Sequence, residues 1–193
     1  PLSHAFERTA VMFYLYNGVT VTFAESLDTI ARDIQLVRPT VMTGVPRVFE
    51  KLHARIYSAA ADASAARQKM FHWAVGVGRK RAQADLAGRD VPLSVRFQEA
   101  LADRLVLSKI RQRLGGRLRF LVSGSAPLPV PVAEFLFAIG VPVLEGYGLT
   151  ETAPVLTANP KERPKLGTVG PPLPSVTLRI ADDGEVLARG PNI

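Results

Sequence analysis

The sequence predicts an α/β fold, a parallel sheet flanked by helices, on three observations. Short β-rich runs at 40–45, 118–122 and 141–144 alternate with helical stripes, the order that builds a parallel sheet with right-handed crossovers. Hydrophobic residues fill 47% of the 193 positions, enough to bury a core. After Gly148 the texture changes to prolines, glycines and short β-like pieces at 176–180 and 185–189, the start of a β-rich, barrel-like subdomain. The expected division is therefore an α/β part over 1–148 and its β-rich continuation over 149–193.

Each element has a local cause. Residues 3–17 run from a polar start into an apolar stretch that Asn17-Gly18 closes, a helix with Ser3 as cap and a glycine stop. Residues 19–23 are β-branched and aromatic and predict a strand. Leu27, Ile30, Ala31, Ile34 and Val37 share one helical face, with Glu25 or Ser26 as cap and Arg38 kept out of the helix by Pro39. A short buried strand follows at 40–45. Pro46 suits a first helical position, and Phe49, Leu52, Ile56 and Ala59 continue a second stripe.

Residues 59–89 are alanine-rich and basic, and predict helices broken near Gly76 or Gly88. Asp90 and Pro92 open a further helix carrying Phe97, Leu101, Leu105 and Leu114, which Gly115-Gly116 ends. A strand at 118–122, a helix at 129–138 stopped by Gly140, and a strand at 141–144 complete the alternation. No internal repeat is visible.

Composition removes several classes of function. With no cysteine there are no disulfides and no cysteine-ligated metals or clusters. The longest apolar stretch, 130–144, is interrupted by Pro131, Glu134, Gly140 and Pro142 and falls short of the roughly 20 residues that span a bilayer. A net charge of +7 suits nucleic acid, anionic lipid or a phosphate-bearing small molecule equally. The chain opens at Pro1 without a leader and stops just after a strand-like piece, so a segment of a longer protein is expected.

In open parallel sheets ligands bind beyond the carboxyl ends of the strands, which directs attention to the loops after Val122 and Leu144. The first reads Ser123-Gly124-Ser125-Ala126-Pro127: small residues that admit a flat or anionic ligand to the backbone N–H groups. The second reads Glu145-Gly146-Tyr147-Gly148-Leu149-Thr150-Glu151. An aromatic ring between glycines can face a base, and the hydroxyl and carboxylate beyond it suit a nucleotide carrying Mg²⁺. Either loop alone would be a plain connection. Two of them after consecutive parallel strands are less easily dismissed as connections and point to a site.

Tyr147-Gly148-Leu149-Thr150-Glu151 also resembles the Tyr-Gly-x-Thr-Glu signature of the adenylate-forming superfamily, which includes acyl-CoA synthetases, peptide-synthetase adenylation domains and firefly-type luciferases. Its neighbours stand in family order. Pro1-Leu2-Ser3-His4 resembles the upstream acyl-site motif, Ser123-Gly124-Ser125-Ala126-Pro127 the adenine-site loop, and Gly184-Glu185-Val186-Leu187-Ala188-Arg189-Gly190 the Gly-Glu stretch that follows. His4-Ala5-Phe6-Glu7-Arg8, the run Arg38-Pro39-Thr40-Val41-Met42-Thr43-Gly44-Val45-Pro46-Arg47-Val48-Phe49-Glu50-Lys51 and the long basic insertion before Leu118 are similar to long-chain fatty acyl-CoA synthetases.

The resemblance implies part of an acyl-CoA synthetase N-terminal, AMP-binding domain. Its activity would be ATP-dependent ligation of a long-chain fatty acid to CoA through an acyl-adenylate. It assigns Glu151, Thr150 and His4 to catalysis, with Glu151 holding Mg²⁺. Gly124, Ser125, Ala126, Glu145, Gly146, Tyr147, Gly148 and Thr150 would bind the nucleotide, Tyr147 by stacking on adenine. ATP, Mg²⁺ and CoA are the implied cofactors and co-substrate. The phosphate loop and lid of that family are expected outside this segment, which alone would not turn over. The implied address is cytoplasmic, with peripheral contact to anionic membrane open to the basic surface.

Competing patterns are weaker. Gly76-Val77-Gly78-Arg79-Lys80-Arg81 lacks the Gly-Lys-Ser/Thr ending of a phosphate loop, and Ser125 lacks the Gly-x-Ser-x-Gly frame of a nucleophile. His4, His53 and His72 are not spaced as a zinc set. A nucleic-acid module would use Arg79, Lys80, Arg81, Arg111, Arg113, Arg117 and Arg119, but these lack interleaved aromatics, and no nucleic-acid partner is expected.

Overall fold

The structure, a computed structural model, describes residues 2–193; Pro1 of the acyl-site motif lies outside them. Helix α1 (Ala5–Tyr16) starts from His4, not Ser3, and no side chain caps it. Gly18 closes it at φ 68°. Residues 19–23 form no strand, although their composition favours one. Val19 and Phe23 stand exposed, and a strand needs a partner for its backbone groups as well as suitable side chains. Residues 26–29 are a hydroxyl-stapled turn, in which Ser26 Oγ accepts the N–H groups of Asp28 and Thr29. Helix α2 (Ile30–Val37) therefore begins with Thr29 in the cap position, later than the apolar spacing suggests. Arg38 ends it in the left-handed region at φ 51°, and its Nε donates to the Gly115 carbonyl at 3.1 Å.

Strand β1 (Val41–Gly44) leads into α3 (Pro46–Ala61), with Pro46 at the first turn. The next helix, α4 (Ala65–Leu86), runs unbroken through Gly76, and the chain turns instead at Gly88 with φ 62°. Gly78 has a packing role there, because a Cβ on it would lie 2.2 Å from the carbonyl oxygen of Ala138. Within the Gly76-Val77-Gly78 string, Val77 and Gly78 thus form a buried helix contact, while a Cβ on Gly76 would meet nothing within 4 Å. Helix α5 (Leu93–Ala102) continues through a π turn at Asp103–Leu107 into α6 (Ser108–Arg113). Phe97 and Leu101 stay exposed while Leu114 is buried.

Strands β2 (Phe120–Ser123) and β3 (Val143–Gly148) flank helix α7 (Val130–Ala138). β1, β2 and β3 pair in parallel, in that order. β4 (Val155–Ala158) then adds antiparallel to β3, with a register shift at Tyr147/Gly148. The strands β5 (Thr177–Ile180) and β6 (Val186–Arg189) form a separate antiparallel pair. Between sheet and helices, Phe49, Phe135, Ile139 and Val141 are fully buried at 0% exposure, each large side chain contributing about 1.5–3 kcal/mol by leaving water. Three connected parallel strands with a filled core fix the carboxyl edge on which the two glycine-bearing loops sit.

Candidate functional site

Those two loops meet. His4, Ala5 and Phe6 at the start of α1, Gly124 and Ser125 after β2, the run from Gly146 to Glu151, and Pro154 with Val155 line one cleft of about 250 Å³. Residues remote in sequence converge because β2 and β3 are adjacent and parallel, so both release their chains at the same edge. Helix α1 is brought over that edge by two contacts. Thr43 Oγ1 at the end of β1 donates to Glu7 Oε2 at 3.3 Å, and the Phe6 ring packs on Gly124, where a Cβ would lie 3.2 Å from it.

The loop after β2 departs from ordinary backbone. Gly124 N–H donates to the Gly44 carbonyl at 3.4 Å, and Ser125 is left-handed at φ 71°, a conformation that few non-glycine residues adopt. Ser123 Oγ is buried with no hydrogen-bond partner among the described residues. The loop after β3 is shaped by its return. A Cβ on Gly148 would lie 1.5 Å from the Pro154 carbonyl oxygen, so only glycine permits that reversal. Thr150–Thr152 forms a 3₁₀ turn in which Thr152 Oγ1 accepts the Leu149 N–H at 2.9 Å. Asn192 Nδ2 donates to the Thr152 carbonyl at 2.6 Å and to that of Val155 at 3.3 Å, which ties the segment after β6 to the same turn.

Of the residues the sequence singles out, His4, Gly124, Ser125, Gly146, Tyr147, Gly148, Thr150 and Glu151 line the cleft, and Ala126 and Glu145 do not. Glu145 is buried beneath it, its Oε2 accepting the Leu128 N–H at 3.1 Å. Ala5, Phe6, Leu149, Pro154 and Val155 complete the lining and are not singled out as site residues by the sequence. Phe6 had a signal in the His4-Ala5-Phe6 string, whereas Pro154 and Val155 depend on the unforeseen strand β4.

Glu151 is the one acidic side chain in the lining. It is exposed and has no ion pair or side-chain hydrogen bond among the described residues. No group of three metal-ligating side chains occurs among the described residues. A hard cation such as Mg²⁺ accepts this donor set, because it takes one or two carboxylates and completes its shell with water and phosphate oxygens.

The other histidines serve packing. His53 packs tilted against Tyr57 at 4.5 Å and edge-to-face with Phe135 at 4.9 Å between ring centres, and burial, with the nearby Arg79 charge, lowers its pKa. His72 lies against Phe71. Part of the basic surface is internally neutralised: Arg81 pairs with Asp85 and Glu99, and Arg111 with Asp103. No described helix is long and apolar enough to cross a membrane.

A parallel sheet with glycine-bearing loops and a free carboxylate above its carboxyl edge defines the open α/β domains that hold a ligand at that edge. The chain belongs to the AMP-binding enzyme family, whose model matches residues 1–193. It is 42% identical, over 99% of its length, to a Mycobacterium tuberculosis protein assigned by name as fatty-acid–CoA ligase fadD11, and covers 34% of that protein. It is 37% identical to the long-chain-fatty-acid–CoA ligase FadD15 of the same organism, covering 31% of it. A Dictyostelium discoideum fatty acyl-CoA synthetase A is 35% identical over the whole chain, with 30% of its own length covered. The chain therefore spans about a third of the length of the curated relatives it matches.

Solved structures share the fold. ATP-bound MatB from Rhodopseudomonas palustris superposes with a TM-score of 0.60 at 24% identity, over 100% of this chain and 31% of that one. The o-succinylbenzoate CoA synthetase of Bacillus subtilis, solved with ATP and magnesium, gives 0.56 at 20% identity over 100% of this chain and 32% of that one.

Proposed function

We propose that the chain forms the adenine and metal side of an ATP-dependent ligase that joins a long-chain fatty acid to CoA. The observation that carries this reading is the convergence of His4, Gly124-Ser125 and the Gly146–Glu151 run on one cleft at the carboxyl edge. The names of the relatives reported above supply the fatty-acid class, and that of FadD15 the long chain.

In the first half-reaction a fatty carboxylate oxygen attacks the α-phosphorus of ATP and pyrophosphate leaves. In the second, the CoA thiol sulfur attacks the acyl carbonyl and AMP leaves. Tyr147 offers a half-buried ring to the adenine face, and the backbone at Gly124 and Ser125 borders the base. Thr150 donates its hydroxyl to a phosphate oxygen. Glu151 would hold Mg²⁺, which would supply neutralisation of phosphate charge. His4, at the amino end of α1, stands where the carboxylate enters. The chain's contribution is positioning together with fixed charge and dipoles.

Residues 149–193 continue the same domain, and the segment alone does not turn over. The protein works in the cytoplasm, its unpaired surface cations meeting anionic membrane peripherally.

Pyrophosphate exchange tests this, with fatty acids of graded length supplied to a longer protein containing the chain. Exchange should require a long-chain acid and be largely lost in Glu151→Ala. Dependence on another class of carboxylate, or full activity in that variant, would overturn the reading. Thioester formation by the 193-residue chain alone would overturn the claim that it is inactive.

A further inference from the structure

A second concavity shares no residue with the cleft. It lies between the end of α3, the start of α4 and the π turn with α6, and has a volume of about 320 Å³, within the roughly 300–1,000 Å³ of small-molecule sites. Its floor is Ile56, Met70, Phe71, Val106 and Ile110, and Arg67, Lys109 and Arg113 border it.

Three features built into the sequence hold it open. Ala59, Ala60 and Ala63 face it from the α3 side, where larger side chains would fill the space. The π turn Asp103–Leu107 brings Leu105 and Val106 to its wall, and such turns inside α-helices are frequent at functional sites. Arg67, Lys109 and Arg113 are exposed and form no ion pair among the described residues; Asp103 of the π turn is engaged by Arg111 instead, and Asp62, beside Ala63, pairs with none of the three. Lys109 and Arg113 stand one turn apart, where like charges repel unless an anion lies between them.

Apart from its three cations, the lining offers only aliphatic, aromatic and thioether side chains. It therefore suits a ligand with an alkyl body and a compact anionic end. Met70 adapts readily to a flexible chain. A polyanion would make no use of the floor.

We propose that this groove is a second ligand site, which takes a single-chain fatty carboxylate with its chain over Met70 and Phe71 and its headgroup among Arg67, Lys109 and Arg113. The inference stands on the groove alone and is independent of the proposed ligase activity.

The test is a titration of the ¹³C-methyl-methionine-labelled chain with sodium dodecanoate below its micelle concentration, since Met12, Met42 and Met70 are its only methionines. The Met70 methyl should shift saturably. Dodecanol should bind at least tenfold more weakly, and the Lys109→Glu/Arg113→Glu double variant should lose at least tenfold in dodecanoate affinity with its Met12 and Met42 signals unmoved. Ala60→Leu, which fills the groove without altering charge, should also abolish the Met70 shift and serves if the double variant does not fold. An unmoved Met70, equal affinity for alcohol and carboxylate, or undiminished binding by the variants would overturn the proposal. So would binding to phosphatidylserine vesicles without binding to dodecanoate, which would make the groove part of a membrane-facing surface.

Discussion

The buried Glu145 carboxylate accepts the Leu128 backbone N–H at 3.1 Å, and so ties the chain after β2 to the strand that carries the cleft's other loop. Removing the acceptor leaves a buried donor without a partner, at a cost of about 1–3 kcal/mol. Glu145→Ala should therefore lower the urea midpoint and weaken binding of a fluorescent ATP analogue. Glu145→Gln keeps an acceptor and should recover most of the stability, which equilibrium unfolding checks directly.

Gly148 and Gly76 should respond oppositely to alanine. At Gly148 the new Cβ would meet the Pro154 carbonyl oxygen at 1.5 Å, so the β3–β4 return cannot keep its path, and Gly148→Ala should abolish nucleotide binding. At Gly76, inside α4, nothing lies within 4 Å of the added atom. Gly76→Ala should stabilise the chain by about 0.5–1 kcal/mol, measured by thermal melting.

The Phe6–Gly124 contact predicts coupling between α1 and the loop after β2. Gly124→Ala places a Cβ 3.2 Å from the Phe6 ring and should displace that ring and weaken analogue binding several-fold. Phe6→Leu removes the encroached edge and should restore part of the loss. A double-mutant cycle should give an interaction energy of about 0.5–3 kcal/mol, the range for residues in contact.

His53 makes stability depend on pH in a defined direction. Its pKa is held below the ordinary histidine value of about 6.5 by burial first and the Arg79 charge second. The unfolded chain therefore takes up the proton more readily than the folded one. The His53 contribution is complete above the unfolded pKa and is lost as pH falls through it towards the folded value. His53→Phe, which keeps an aromatic ring against Tyr57 and Phe135, should flatten the stability profile between pH 7 and pH 5 in denaturant titrations.

Much of this architecture is legible in the sequence because it is locally caused. The Pro46 helix start, the Gly115-Gly116 stop and the alternation of 40–45, 118–122 and 141–144 with helices all appear, with the observed strands shifted by a few residues. Failures occur where a partner decides. Residues 19–23 have β composition but no neighbouring strand. Residues 155–158 have only a short, weak pattern and become β4 because β3 offers an edge. The cleft-lining glycines, Tyr147 and Glu151 are visible as a string, whereas the inward turn of Glu145 and the packing use of Gly78 depend on segments distant in the chain. The π turn leaves no periodic signature, so the groove it borders is invisible until the helices are packed.

The walls of the cleft differ in how far the chain must travel to bring them together. β3, the 3₁₀ turn and β4 occupy the continuous stretch 143–158, so that wall forms from local contacts with little loop-closure entropy. Ser125 joins from about 20 residues back, whereas His4 and Phe6 arrive from the other end of the chain, held by Glu7 to Thr43, 36 residues on, and by Phe6 to the more distant Gly124, a larger closure cost than that of Ser125. Helix α1 has Val11 as its only buried residue, so little apolar burial offsets that cost. Assembly should therefore end with the docking of α1, and its amides should exchange with solvent fastest among the walls. A ligand touching all three walls would slow that exchange, making α1 protection a direct gauge of occupancy.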